Sequence, residues 1–325
     1  MNSFKLIAAT AFAPLVWGTT YLTTTEFLPP DRPLFVGAVR ALPAGLVLCA
    51  VVAGLAGRLA LPRGAWWWRA TLLGVLNIGL FFPLLFLAAY RLPGGIAAVL
   101  GAISPFVVAG FAFLLLGERA TRRMMLAAVI GIAGVALLVL RSTITLDTIG
   151  LVASAGAALT MGLGTVLGRK WGLPEGHRRP ATALLALTGW QLTVGGVLIL
   201  AVSFLIEGAP PAVNGTNVAA FAYLSLVGTA LAYLLWFRGV TNLPPTQNTL
   251  LTLLSPTVAA VLGWVVLGEA LSAGQLVGVA AVLGAVLLGS STPGGEPSLV
   301  TRLLRALRSG PAAERRAEAF DSVAS

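Results

Sequence analysis

The chain has 325 residues, of which 58% are hydrophobic and only 10% charged, and its net charge is +10. A water-soluble domain of this length needs roughly a quarter of its residues charged to cover its surface, so a soluble enzyme and a disordered chain are both excluded. One cysteine, Cys49, and one histidine, His177, supply neither a disulfide nor a cysteine-rich or paired-histidine metal site, and no metal or cofactor is expected.

In chain order, stretches free of Asp, Glu, Lys and Arg run 6–25, 41–57, 70–90, 92–117, 124–140, 148–168, 180–206, 208–237, 239–268 and 270–295. About 20 apolar residues cross the hydrocarbon core as a helix. In lipid the backbone polar groups must be satisfied within the segment, and the period-two polarity of a barrel strand is absent. The spacing therefore predicts an all-α integral membrane protein with ten transmembrane helices. The second span starts near Leu34 and carries Arg40 inside it. The first resembles a signal peptide over Lys5 to Val16, but its apolar run continues to Thr25 and predicts a retained span. Trp66, Trp67 and Trp68 open the third as an interfacial aromatic anchor. Gly131, Gly134, Gly274 and Gly278 predict close helix contacts in the fifth and tenth, within a monomer rather than across a homodimer. Beyond Gly289, Leu299, Val300, Leu303, Leu304 and Leu307 interleave with Arg302, Arg305 and Arg308, which reads as a short basic amphipathic segment in a polar tail.

With the N-terminus placed in the cytoplasm, 17 basic side chains fall on that side and three (Arg32, Arg91 and Arg141) on the other. That bias predicts cytoplasmic N- and C-termini in the cell (inner or plasma) membrane. The positive charge faces anionic lipid, so the bilayer is the expected partner and nucleic acid is not.

Sliding the sequence by 151 residues brings Leu92-Pro93 onto Leu243-Pro244, Ser104-Pro105 onto Ser255-Pro256, and Gly117-Glu118 onto Gly268-Glu269. The same offset sets Arg40 over Gln191 and Gly45 over Gly196. Five helices separate the copies, and five is odd, so the repeats are inverted. The expected division is 1–141 for the first five helices, 142–290 for the second five and 291–325 for the tail. Inverted repeats let one fold present a midplane site to either side, which points to an alternating-access carrier. A non-transporting scaffold or a channel-like facilitator is the alternative. No catalytic motif lies at membrane depth, so an enzyme is not expected.

These features, with Trp17-Gly18-Thr19 in the first helix, the paired Ser-Pro…Gly-Glu signature and Trp190-Gln191 in the seventh, resemble the drug/metabolite transporter superfamily, EamA type. At the Trp-Gly position the second copy reads Met161-Gly162. The resemblance implies two inverted five-helix repeats and carriage of small organic metabolites, often export of amino acids or related compounds.

Candidate solute-binding side chains at mid-span depth are Trp17, Thr19, Tyr21, Arg40, Asn77, Thr165, Gln191, Tyr233 and Asn248: a few hydrogen-bonding groups among aromatic walls. Arg40 is the one charge inside a span, with Glu26 as its expected partner at an external gate; alternatively it snorkels to the interface or attracts an anionic group. Pro105 and Pro256 free the carbonyls of Gly101 and Thr252, for which Ser104 and Ser255 are candidate partners, so the four are expected to form kinks used in gating. Glu118 and Glu269 read as structural, each before a helix capped by Thr121 or by a Ser272–Gln275 capping box.

Overall fold

The computed structural model describes residues 3–29, 32–56, 61–91, 100–139, 147–176, 179–267 and 272–290. Among them the chain forms ten helical rods and no strands. The first two are α1 (Ser3–Phe27) and α2 (Pro33–Ala56). Rod α3 runs as Trp66–Gly74, a π-helical stretch Val75–Leu80 and Phe81–Arg91. Next come α4 (Ser104–Leu116), α5 (Arg122–Val139), α6 (Thr148–Trp171) and α7 (Pro180–Ile206). Rod α8 runs as Gly215–Ser225, a second π-helical stretch Leu226–Leu231 and Ala232–Asn242. Rod α9 runs as Pro245–Leu250, a 3₁₀ turn Leu251–Leu253 and Leu254–Leu267, and α10 is Ala273–Ser290.

Seven of the rods are long and apolar enough to cross a membrane, and Leu100–Leu116 and Ala273–Gly289 are shorter apolar helices. The outward faces are greasy, with Leu55, Leu114, Val152, Leu205 and Val265 all exposed. Lipid is the solvent for which such a surface is suited.

The helix ends follow local chemistry. Thr121 Oγ1 accepts from Met124 N, and Ser272 and Gln275 form the expected reciprocal box at 2.9 and 3.2 Å. Gly117, in the left-handed region at φ 70°, closes α4, and the Glu118 amide donates to Ala112 O. Asp147 caps α6 and pairs with Arg91 at 3.7 Å. Glu207, at the end of α7, accepts from the first amides of α2, Leu34 N at 2.6 Å and Phe35 N at 2.8 Å, which ties the two helices together. Gly268-Glu269 and the tail lie outside the described residues.

The packing has the symmetry that the 151-residue offset predicts. Rod α2 packs on α7 and α5 on α10 more extensively than any other pairs. Shifting by five helices leaves those two pairs in place and exchanges α3–α6 with α8–α1, and α4–α6 with α9–α1; all four of these contacts exist. At the α2–α7 crossing a Cβ on Gly45 would sit 2.5 Å from Thr193 N, and one on Gly196 would sit 2.7 Å from Leu42 N. Those contacts exchange under the same offset. In lipid the hydrophobic effect does not drive helices together, so glycine is needed where backbones touch. Gly134 and Gly278 likewise approach each other's carbonyls at the α5–α10 crossing, whereas Gly274 meets only Ser272. The expected contact between these helices is thus made by Gly278 and lies within one chain.

The Trp-Gly position divides in two. Gly18 of α1 abuts Val258 of α9, and Gly162 of α6 abuts Val107 of α4, valines 151 residues apart. The glycine serves packing in both repeats, while its neighbours differ, Trp17 and Thr19 standing where the second copy has Met161 and Leu163. The π stretches Val75–Leu80 and Leu226–Leu231 are also 151 residues apart.

Gly45 and Gly54 share α2 and give a direct test. Gly45→Ala is expected to lower the unfolding temperature in detergent by the equivalent of ~1–3 kcal/mol. Gly54→Ala, with nothing within 4 Å, is expected to be neutral or stabilising by up to ~1 kcal/mol. Equal effects at the two positions would refute the close crossing.

Candidate functional site

Arg40 lies two turns into α2 and is 4% exposed, the only charged side chain in the buried interior among the described residues. Its acceptors come from the π stretch of α8: Nε donates to Thr229 Oγ1 at 3.1 Å and Nη2 to Gly228 O at 3.2 Å. Thr229 passes the bond on to Leu224 O at 2.8 Å. A π turn changes the backbone register and recurs at functional sites. Here its carbonyl also accepts from the Trp17 indole at 3.1 Å. The guanidinium lies over the Phe82 ring at 5.2 Å, a further favourable contact for a desolvated cation. The ion pair with Glu26 expected from the sequence is replaced by these contacts: Glu26 ends α1 with an exposed side chain, and Arg40 turns into the bundle rather than snorkelling out of it. Depth along a helix suggested the pair; rotation about the helix axis, which depth does not report, decided against it.

The second repeat answers with an amide. Gln191 of α7 accepts from Asn77 Nδ2 of α3 at 2.9 Å, both side chains being 1% exposed. Asn77 lies in the other π stretch. The offset carries Arg40 onto Gln191 and Asn77 onto Gly228, so the two polar contacts are the same contact seen in each repeat. Room for Asn77 comes from Gly164 of α6, where a Cβ would stand 2.1 Å from Oδ1. That Oδ1 is buried and has no partner. A small cleft beside it is lined by Asn77, Gly168, Leu187, Gln191, Phe237, Val240 and Thr241, with room for little more than a water molecule.

Trp17 stands between Tyr233, 5.1 Å away, and Trp236, 5.3 Å away. Asn248 of α9 is fully buried against Gly239 of α8, on which Thr10 of α1 also packs, with neither amide atom partnered; the Trp236 indole N–H is also unpartnered. Pro14 of α1 frees the carbonyl of Thr10 in the same neighbourhood. Thr19 bonds Tyr223 at 2.8 Å and is spent on joining α1 to α8. Thr165 is buried in α6 next to Gly164. Tyr21 lies on α1, with its side chain outside the described set.

Ser104 donates to Gly101 O at 2.5 Å, as the freed carbonyl before Pro105 requires. Pro105 stands near the start of the regular α4 helix, after a turn at Ile103, rather than mid-helix. Pro256 follows a 3₁₀ turn, with Thr252 Oγ1 bonded to Thr249 O, and the Ser255 carbonyl lies against Gly18. The structure thus gathers Trp17, Arg40, Asn77, Gln191 and Tyr233 around the two π stretches, while Ser104, Pro105, Ser255 and Pro256 shape the helices that flank α6 and α1. Sequence reading missed Trp236, Gly164, Tyr223 and the buried run Thr246, Gln247 and Thr249 beside Asn248. The Pro-Pro-Thr-Gln-Asn-Thr string is a visible signal for that run, since polar residues seldom cluster at the start of a span. Trp66 packs into the protein against Trp190, while Trp67 and Trp68 stay exposed, with Arg69 over the Trp66, Trp68 and Trp171 rings.

An all-helical bundle of two inverted five-helix repeats, apolar outside and joined by polar contacts within, belongs to the class of multi-pass membrane transporters. The chain belongs to the EamA-like transporter family, whose profile matches residues 5–140 and again 148–291. It is 47% identical to Protein PecM of Dickeya dadantii over 82% of this chain and 86% of that protein. It is 32% identical to a chloroplastic WAT1-related protein of Arabidopsis thaliana, over 81% of this chain and 64% of that one. It is 28% identical to the uncharacterized inner membrane transporter YedA of Escherichia coli over 79% of this chain and 81% of the other. A crystal structure shares the fold with a TM-score of 0.72 and 19% identity, over 92% of this chain and 99% of that one.

Asn77→Ala and Gln191→Ala, combined in a double-mutant cycle of unfolding in detergent, are expected to couple by ~0.6 kcal/mol and at most ~1.7 kcal/mol. Gly164→Ala is expected to abolish that coupling by displacing the Asn77 amide. A cycle that closes at zero in the parent protein would remove the contact.

Proposed function

We propose that this transporter works by alternating access, rocking its two inverted halves about a pocket between the π stretches of α3 and α8. Its solutes are small organic metabolites, with export of amino acids or related amphiphilic compounds the favoured direction. The observation that carries this reading is the paired polar contact, Arg40 with Gly228 and Thr229 in one repeat and Gln191 with Asn77 in the other. Contacts that exchange under the repeat offset are equivalent elements of opposite topology, which a rocking carrier needs and a static scaffold does not. The 17-to-three bias of basic side chains supports cytoplasmic termini, and the inner-membrane description of YedA supports the cell membrane. The repeats divide near residues 141 and 142, the remainder from 291 forming a tail, and the chain works as a monomer or a homodimer.

Counterflow of labelled amino acids and related solutes in proteoliposomes tests the reading. The expected result is flux that saturates, and that falls at least tenfold in Arg40→Ala and Gln191→Ala. Flux that rises without saturation would establish a pore, and none across a broad solute panel would establish a scaffold.

A further inference from the structure

Resting on the carrier reading, we propose that the solute is an organic anion whose negative group is seated on Arg40 and whose apolar body lies against the aromatic rings around it. Of the five N–H donors on the guanidinium, two are engaged by Thr229 and Gly228, and the remaining three have no partner among the described residues. Neither engaged acceptor is charged. The carboxylates of the chain are placed elsewhere: Glu207 caps α2, Asp147 caps α6, Glu118 follows α4, and Glu26 and Glu175 are exposed. Asp31, Glu269 and those of the tail lie outside every predicted span. A cation taken into a low-dielectric interior is costly unless an opposite charge accompanies it, and among the described residues the protein interior supplies none.

The surroundings choose between a bare ion and an organic one. Trp17 and Arg40 meet on the same carbonyl, Gly228 O, with Tyr233 5.1 Å from the Trp17 ring and Phe82 beneath the guanidinium. The faces of three aromatic rings bury the flat or branched body of an organic anion, a contact that a small inorganic anion has no apolar surface to make. The spare guanidinium donors suit a planar carboxylate, which accepts two N–H groups side by side.

The test uses full-length protein in detergent and the matched probes phenylacetate, 2-phenylethanol and 2-phenylethylamine, read by tryptophan fluorescence, with chloride titrated separately as a competitor. Phenylacetate is expected to bind saturably and at least tenfold tighter than the alcohol or the amine. Arg40→Gln is expected to erase that preference, and Arg40→Lys to keep it within a few-fold. Equal binding of the three probes, unchanged phenylacetate binding in Arg40→Gln, or no saturable phenylacetate binding would overturn the proposal. So would displacement by chloride at concentrations matching those of phenylacetate, which would mark a site for inorganic anions. The three-probe comparison on the wild-type protein decides the question even where Arg40→Gln does not fold. Saturable counterflow with no preference for the anion sinks the charge inference and leaves the carrier standing; anion binding without counterflow of any solute sinks the carrier and leaves the anion site.

Discussion

A guanidinium inside a lipid-facing bundle must find its acceptors within the protein, because the bilayer core has none to offer. In this chain Arg40 finds them on the π stretch of α8, where the widened turn makes Gly228 O and Thr229 Oγ1 available together. Much of the interior is organised around that requirement. Trp17 shares the carbonyl, Phe82 covers the cation, and the Leu224 carbonyl accepts from the Thr229 hydroxyl. Helices α1, α2, α3 and α8 are thereby referred to one charge. The glycine crossing of α2 on α7 then fixes the distance from this cluster to its counterpart around Asn77 and Gln191.

The counterpart shows why the duplication matters physically. Two segments of unlike sequence, Val75–Leu80 and Leu226–Leu231, take the same unusual helical geometry at the same place in each repeat. Neither contains proline, so the distortion does not come from a missing N–H. Both face a polar side chain from the central pair, α2 or α7, and a widened turn is the backbone's way of meeting it. The close contacts Gly45 with Thr193 and Gly196 with Leu42, and Gly18 with Val258 and Gly162 with Val107, are shared in the same manner. What the repeats hold in common is backbone shape more than side-chain identity.

That distinction explains what could be read from the sequence. Spans were legible because lipid tolerates little but apolar helix, and the caps at Thr121 and Ser272 because capping is decided within four residues. The 151-residue offset was legible from Ser-Pro and Gly-Glu, and it already set Arg40 over Gln191. The Trp17, Arg40 and Tyr233 neighbourhood was foreseeable as a list of residues but not as a place, since mid-span depth leaves the azimuth of each side chain open. For that reason Glu26 looked like a partner for Arg40 and is not one. The π stretches carry no sequence signature at all, and Gly164 looks like any other membrane-helix glycine until Asn77 is placed against it.

Symmetry of the scaffold and asymmetry of its chemistry belong together. A carrier with two chemically identical halves would hold its two orientations at equal free energy, and a solute would be bound alike from either side. This chain departs from identity at the exchanged positions nearest the centre, guanidinium against amide at Arg40 and Gln191 and backbone glycine against asparagine at Gly228 and Asn77, and the packing glycines Gly18 and Gly162 are preceded by an indole at Trp17 and a thioether at Met161. Each replacement leaves the central α2–α7 crossing intact, because the glycines that set it, Gly45 and Gly196, are kept in both repeats. Under the proposed alternating access, the backbone would exchange conformations as a symmetric machine while the interior discriminates between its two sides. A charge placed in one half only is the strongest form of that discrimination that a single side chain can provide.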